Sequence, residues 1–261
     1  MINALHSAST GMSAQQTRID GIANDLANLN TVGYKKTRAE FEDLYYDQIK
    51  ASGSSNSDST ISPNGIQVGH GTKMTSMTKI FTAGDIESTG GQLDLAIGGQ
   101  GFFKFTDENG NAVYSRNGTL QLNQDGALVN GNGLVMDPSF TIPSTTTSLN
   151  IGKDGTVSIK TSDSVDAQNL GKIQLAMFQN PAGLEYVGAN LYRETTGSGT
   201  ATTVNPGADG SGQIQQGFVE SSNVNIGDAL ISMVVAQRSY ESNAKVIETA
   251  DKMMQSVNNI L

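Results

Sequence analysis

Residues 225–261 read NIGDALISMVVAQRSYESNAKVIETADKMMQSVNNIL, and within them Met233, Tyr240, Ile247, Met254 and Leu261 recur every seven residues. At the other end of the chain Leu5, Met12, Ile19 and Leu26 do the same. A seven-residue repeat keeps one stripe of a helix turned toward a partner helix. Two such stripes, one at each terminus, describe a chain whose ends are made for other helices. In the C-terminal stretch Asn225 stands where an N-cap belongs, with Asp228 three residues on as an imperfect capping box. Ala229, Ala236, Asn243, Ala250 and Val257 complete its stripe. Asn243 inside an apolar seam lowers stability but fixes register and partner number; at the stripe's edge it would lie in water instead. Such a helix runs ~50 Å, too long for a small β domain to cover.

The N-terminal helix is expected over about Ile2 to Asn30, with Ser9, Gln16 and Ala23 as the remaining seam positions and Gly33 as the residue that ends it. Gly11 and Gly21 lie inside it, each costing about 1 kcal/mol relative to Ala. A helix so weakened forms well only when packed.

Between the two helices the pattern changes. Tyr34 to Lys50 is charged and aromatic, fitting either a helix extension or extended chain. Ser52–Ser59 is a low-complexity linker, Pro63-Asn64-Gly65 a turn, and Ile66 to Phe81 extended chain. Leu93–Ile97 and Phe102–Phe105 read as strands. Turn signals then follow eight residues apart at Asn109-Gly110, Asn117-Gly118 and Asp125-Gly126, with Asn130-Gly131-Asn132-Gly133 beyond. Asn-Gly and Asp-Gly favour tight hairpins because both residues tolerate positive φ. Short strands at this spacing indicate an antiparallel β domain. Further strands are expected at Leu149–Ile151, Thr156–Ile159 and Ile173–Phe178, and Thr195–Gly212 as an exposed loop. The domain division is therefore 1–33 with 225–261 as a terminal helical domain, 34–85 as a linker with an extended stretch, and 86–224 as the β-rich domain.

Composition narrows the function. The 261 residues carry a net charge of −9 with no basic cluster, which argues against nucleic acid and anionic lipid. Apolar residues make up 36% and aromatics 6%, enough for a core but a sparse one, as expected of a chain that gains stability from neighbours. Cysteine is absent, so there are no disulfides or thiolate metal sites. The first residues show no secretory signal pattern, and no apolar run is long enough to span a membrane.

A search for chemistry finds little. The two histidines, His6 and His70, are far apart in sequence, and no zinc spacing is present. Asp107-Glu108-Asn109-Gly110-Asn111 resembles the opening of a calcium loop, but Ala112 and Gly118 stand where Gly and Glu are required. Gly98-Gly99-Gln100-Gly101 lacks the Gly-Lys-Ser/Thr that would hold a phosphate and reads as a tight bend. No nucleophile elbow occurs and no pair of carboxylates stands out. The expectation is a protein that is not an enzyme and has no cofactor and no metal.

Three stretches resemble the bacterial flagellar rod and hook family of axial proteins. Ala23-Asn24-Asp25-Leu26-Ala27-Asn28-Leu29-Asn30-Thr31-Val32-Gly33-Tyr34-Lys35 is similar to its N-terminal signature, with Asp25 where the family more often has Asn. Leu93–Ile97, Gly101-Phe102-Phe103 and Tyr114–Gly118 look like its central motif. Gln216–Asn225 followed by Ala236–Lys245 resembles its C-terminal signature. The stretch around Asn64–Gly69 and the segments Ile151–Gly155 and Gly183–Tyr192 fit the rod branch better than the hook branch, which is the alternative.

The resemblance implies an α+β chain, with an antiparallel β-rich central domain and N- and C-terminal helices that pair as a coiled coil in the assembled filament. It implies export by the flagellar apparatus without a cleaved signal peptide, and helical polymerisation into the distal part of the rod that crosses the periplasm and transmits torque from motor to hook. The implied partners are copies of the chain itself, other flagellar rod proteins, the hook protein and the surrounding L/P-ring bushing, with no nucleic acid and no direct membrane insertion. The expected assembly interface is Leu5, Met12, Ile19, Leu26, Met233, Tyr240, Ile247, Met254 and Leu261, with Asn243 for register. Terminal heptads around a β domain also fit an oligomeric surface fibre or binding module, which predicts a small closed oligomer and a signal peptide.

Overall fold

The computed structural model describes residues 2–51, 55–57, 60–61, 64–107, 109–162 and 166–258. Leu261, Pro63 and most of the Ser52–Ser59 linker lie outside the described residues. The order is helix, strands, helix: α1 spans Ile2–Ala27 and α2 spans Ile226–Asn258, with short strands between. The chain forms two compact units. One comprises Met1–Leu26, Thr37–Thr78 and Asn225–Leu261; the other comprises Ala27–Lys36 and Lys79–Val224.

The second unit is built on a nine-stranded sheet. Its main path runs Leu120–Leu122, Leu128–Asn130, Val135–Met136, Phe102–Thr106, Ala112–Ser115, Leu191–Arg193 and Glu185–Gly188, and every ladder in it is antiparallel. Leu175–Met177 also pairs with Phe102–Thr106 and carries Thr202–Val204 at its side. The central strand reads Phe-Phe-Lys-Phe because both of its faces are covered. Successive side chains point to opposite faces. Phe103 and Phe105 enter a large aliphatic cluster with Leu95, Ile97, Val157 and Ile214. Phe102 enters a smaller aromatic one with Tyr114, Phe178 and Tyr192. There the rings meet edge to face, with Tyr114 and Phe178 4.8 Å apart and Phe102 and Tyr192 5.7 Å apart, the arrangement their quadrupoles favour. A three-stranded sheet, Thr146–Ile151, Thr156–Thr161 and Gln168–Lys172, adds Ile151, Val157 and Ile159 to the aliphatic cluster.

The aromatic cluster carries a pH dependence. Burial, and then the Glu194 carboxylate, push the Tyr114 phenol up to about 12. Burial raises Tyr192 as well. A phenol raised above its unfolded value of ~10 contributes stability that is complete below pH ~10 and is lost as pH climbs through the folded value. We expect alkaline unfolding of this unit above pH ~10, and a higher midpoint in Tyr114→Phe and Tyr192→Phe. Following tyrosinate absorbance together with circular dichroism checks this, and an unmoved midpoint in both variants would contradict it.

Several expectations are corrected. Asp125-Gly126 turns the Leu120–Asn130 hairpin and Asn109-Gly110 the Phe102–Ser115 hairpin, but Asn117-Gly118 joins two strands that do not pair. Its glycine is needed for close approach instead, since a Cβ at Gly118 would stand 1.8 Å from the Leu95 carbonyl oxygen. Asn117 folds its own side chain forward to accept the Thr119 N–H at 2.9 Å. Thr195–Gly212 is not all exposed loop: it contributes the strand Thr202–Val204, and Ser198 is buried with its hydroxyl on the Thr195 carbonyl. The helix expected to reach Asn30 stops at Ala27, and residues 28–34 turn, with Thr31 N–H on the Asn28 carbonyl and Tyr34 N–H on that of Thr31. Gly33 therefore does not end the helix. It has φ +71° and donates its N–H to the Glu220 carbonyl at 2.8 Å.

In the first unit the segment after α1 is extended rather than helical. Thr37–Asp43 pairs with Thr72–Lys79, and Tyr46–Lys50 with Ile66–Gly69. No described helix is long and apolar enough to cross a membrane.

Candidate assembly interface

The apolar residues of the first unit are poorly covered. Its fully buried side chains on the two helices are small, Ala8 and Ala14 on α1 and Ala236 and Ala250 on α2, plus Asp25. All but three of the exposed large apolar side chains among the described residues belong to this unit; Leu122, Tyr186 and Val187 are the exceptions.

The α1 stripe residues Leu5, Met12, Ile19 and Leu26 are half-buried. The positions expected to share their seam, Ser9, Gln16 and Ala23, are exposed. The covered face instead includes Ala8, Gln15 and Ile22, three residues after each stripe member rather than four. Side chains at i and i+3 lie on one face just as those at i and i+4 do, and the choice between them rests with the packing partner. One partner is the hairpin segment around Gly71. A Cβ there would collide with Thr10 Oγ1 and stand 3.1 Å from Ser7 Cα. His6 Nδ1 meets the His70 carbonyl at 3.1 Å, and the Tyr45 ring stacks on His70 at 4.5 Å, so the two histidines remote in sequence come together. At the far end of α1 the Asp25 carboxylate accepts both the N–H and the hydroxyl of Thr37 at 3.0–3.1 Å. That acceptor role is one an Asn oxygen would also fill.

On α2, Met233, Ile247 and Met254 are half-buried and Tyr240 is exposed. Asn225 caps the helix, its side-chain oxygen accepting the Asp228 N–H at 3.2 Å. Asn243 is half-buried and lies over Gly11, where an added Cβ would stand 2.9 Å from its Nδ2. Gly11→Ala gains ~1 kcal/mol of helix propensity but meets that amide, so the single change is expected to gain little or to lose. Paired with Asn243→Ala the gain should appear, giving a coupling of ~0.5–3 kcal/mol. Thermal melts of the helical signal across the four proteins test this, and additivity would refute it.

The stripe is not all that α2 presents. Ile226, Leu230 and Val234 are spaced by one turn on one flank, Ile231 and Val235 lie on the other side, and all are exposed, Ile231 at 67%. Val246 and Met253 continue the second flank. From Ala229 to Ala236 α2 thus carries apolar side chains on the stripe and on both flanks, with only Ser232 polar among them, the pattern of a helix covered on more than one side. The heptad reading passed over these residues. Their signal was the nearly unbroken apolar run from Ala229 to Ala236, too dense for one stripe.

Among the described residues no group of three or more His, Cys, Asp or Glu side chains is placed to hold a metal. The structure has a β-rich unit with a closed core and, in the other unit, helices whose apolar faces are only partly covered. Residues 5–35 match the family model described as flagella basal body rod protein, residues 96–159 the flagellar hook protein FlgE/F/G D1 domain, and residues 215–260 the flagellar basal body rod FlgEFG protein C-terminal. The flagellar basal-body rod protein FlgG of Buchnera aphidicola subsp. Baizongia pistaciae is 42% identical over 257 residues, 98% of this chain and 99% of that protein. That of Borreliella burgdorferi is 42% identical over 262 residues, covering 100% of this chain and 99% of its own. That of Bacillus subtilis is 39% identical, with 100% and 99% covered. Full-length similarity at this level, with family models meeting at both helices and the β-rich unit, means that the chain belongs to the flagellar basal-body rod protein family, whose members are structural axial components of the flagellum.

Proposed function

We propose that the chain polymerises helically with copies of itself into the distal part of the rod, the shaft that carries torque from motor to hook. The observation supporting this most directly is the contrast between the units: one has a closed core, while the other leaves apolar side chains exposed on both flanks of the α2 stripe. A helix with more apolar faces than its own chain can cover is completed by several neighbouring helices. A heterologous contact that does not close into a ring continues as a filament. In this reading 1–33 and 225–261 form the helical domain of the polymer, 34–85 a linker, and 86–224 the outer β-rich domain. Leu5, Met12, Ile19, Leu26, Met233, Tyr240, Ile247, Met254 and Leu261 face other helices, and Asn243 fixes their register. Other rod proteins and the hook protein meet its ends, and the L/P-ring bushing surrounds it in the periplasm. Weak, glycine-bearing helices suit export in an unfolded state. As a structural element the shaft needs no catalytic group.

Amide hydrogen exchange on the soluble protein and on isolated hook–basal bodies tests the proposal. Residues 2–27 and 226–258 should exchange rapidly in the soluble protein and slowly in the particle. Equal protection in both, or absence of the protein from basal bodies, would refute it.

A further inference from the structure

The chain passes between its two units four times, after Leu26, Lys36, Thr78 and Val224. Three of these passages begin or end within a few residues of one hydrogen-bonded node inside the β-rich unit. Asn223 is its centre. Its Oδ1 accepts the Lys36 N–H at 2.7 Å, and its Nδ2 donates to the Ile80 carbonyl at 2.8 Å and to the Thr82 carbonyl and hydroxyl at 3.2 and 3.0 Å. The Ile80 N–H returns to the Lys36 carbonyl at 2.9 Å, closing a triangle of three chain segments. Directly behind it, the Glu220 carbonyl accepts the Gly33 N–H at 2.8 Å, its carboxylate accepts the Gly84 N–H at 3.0 Å, and the Lys35 ammonium donates to the Thr82 carbonyl at 2.7 Å. Ser221 and Gly84 approach so closely that a Cβ on Gly84 would collide with the Ser221 carbonyl oxygen.

We propose that Asn223 is a positioning residue for torque transmission. Its carboxamide clasps the segments ending at Lys36, starting at Lys79 and ending at Val224, so that they take load together as one bundle. The inference rests on the shaft reading above. Segments that were not cross-tied would yield one at a time, and the connection between the units would be compliant. A side-chain amide suits the role because it supplies an acceptor and two donors in one rigid plane, meeting an N–H from one segment and carbonyls from another.

The test uses Asn223→Asp and Asn223→Ala in the full chain. The aspartate keeps the acceptor for Lys36 but turns a negative oxygen toward two carbonyls, so it should loosen the node at least as much as alanine. In the soluble protein the Lys36 and Ile80 amides should exchange about 10- to 100-fold faster, while those of Phe103 and Phe105 are unchanged. Basal bodies should carry rods of normal length, and a bead on the hook should report a torsional compliance several-fold above wild type. Unchanged exchange at Lys36 and Ile80 would overturn the proposal. So would a loss of protection shared with Phe103 and Phe105, which marks a general structural role, or faster exchange with unchanged compliance. Absence of the wild-type protein from basal bodies would overturn the shaft reading and the load-bearing role together, and is distinguished from the other failures by that absence.

Discussion

Ile231→Asp and Val235→Asp are each expected to abolish incorporation into the rod, and motility with it, while leaving the β-rich unit's thermal stability within ~0.5 kcal/mol of wild type. In the isolated chain these side chains are 67% and 50% exposed, so a carboxylate there stays solvated and disrupts nothing. In the polymer proposed above the same positions would be surrounded by apolar faces of neighbouring helices. An apolar side chain buried there contributes ~1.5–3 kcal/mol. A carboxylate loses that contribution and adds the cost of an unpaired buried charge, several kcal/mol more. Because a helical polymer repeats one interface at every subunit, the penalty would recur along the whole of the proposed shaft. Electron micrographs of basal bodies and the melting curve of the purified protein are the two readouts. Normal rods built from Ile231→Asp would show that this face of α2 meets water in the assembly as well.

Residues differ in how far their roles could be read ahead of the structure, and the difference follows the range of the interactions. The two terminal helices, the Asn225 cap, the Asp125-Gly126 hairpin and the Phe102–Phe105 strand depend on neighbours within a few positions, and local patterns carry them. Asn117-Gly118 carries the same local pattern as Asn109-Gly110, yet its glycine answers to the backbone of Leu95, which no turn rule contains. Gly33 follows a similar rule: its positive φ lets its N–H reach the Glu220 carbonyl, far away in sequence, while α1 ends at Ala27. The second apolar face of α2 was present as a dense run of Leu, Ile, Met and Val, but a search for one stripe discards residues that fall between stripes. The exposure of those residues in the folded chain is what brings the second flank into view.

Least visible in advance was the buried charge cluster of the β-rich unit, and the second large effect is expected there. Glu220→Gln should destabilise that unit by ~3–5 kcal/mol, and Lys35→Met by clearly less. The Lys35 and Glu220 side chains are both fully buried and in contact, and Arg116, 2% exposed, meets the other carboxylate oxygen at 3.1 Å while donating to the Gly99 and Gly101 carbonyls. One carboxylate thus compensates two buried cations. Removing it leaves both uncompensated, whereas removing Lys35 leaves an intact Glu220–Arg116 pair and a Thr82 carbonyl that still accepts from the Asn223 amide at 3.2 Å. The sign of the pH dependence separates this account from a simple packing defect. Burial already lowers the Lys35 ammonium below its usual range, opposed by Glu220. In Glu220→Gln that opposition disappears and the folded value falls further. A lysine whose folded value lies below its unfolded one binds fewer protons folded than unfolded, so stability rises with pH between those two values. The deficit of Glu220→Gln relative to wild type should therefore shrink from neutral pH toward pH ~10, before the buried tyrosines begin to ionise. Denaturant titrations at several pH values measure it. A deficit constant across that range, or a Lys35→Met variant as damaged as Glu220→Gln, would mean that shape rather than charge holds this part of the unit together.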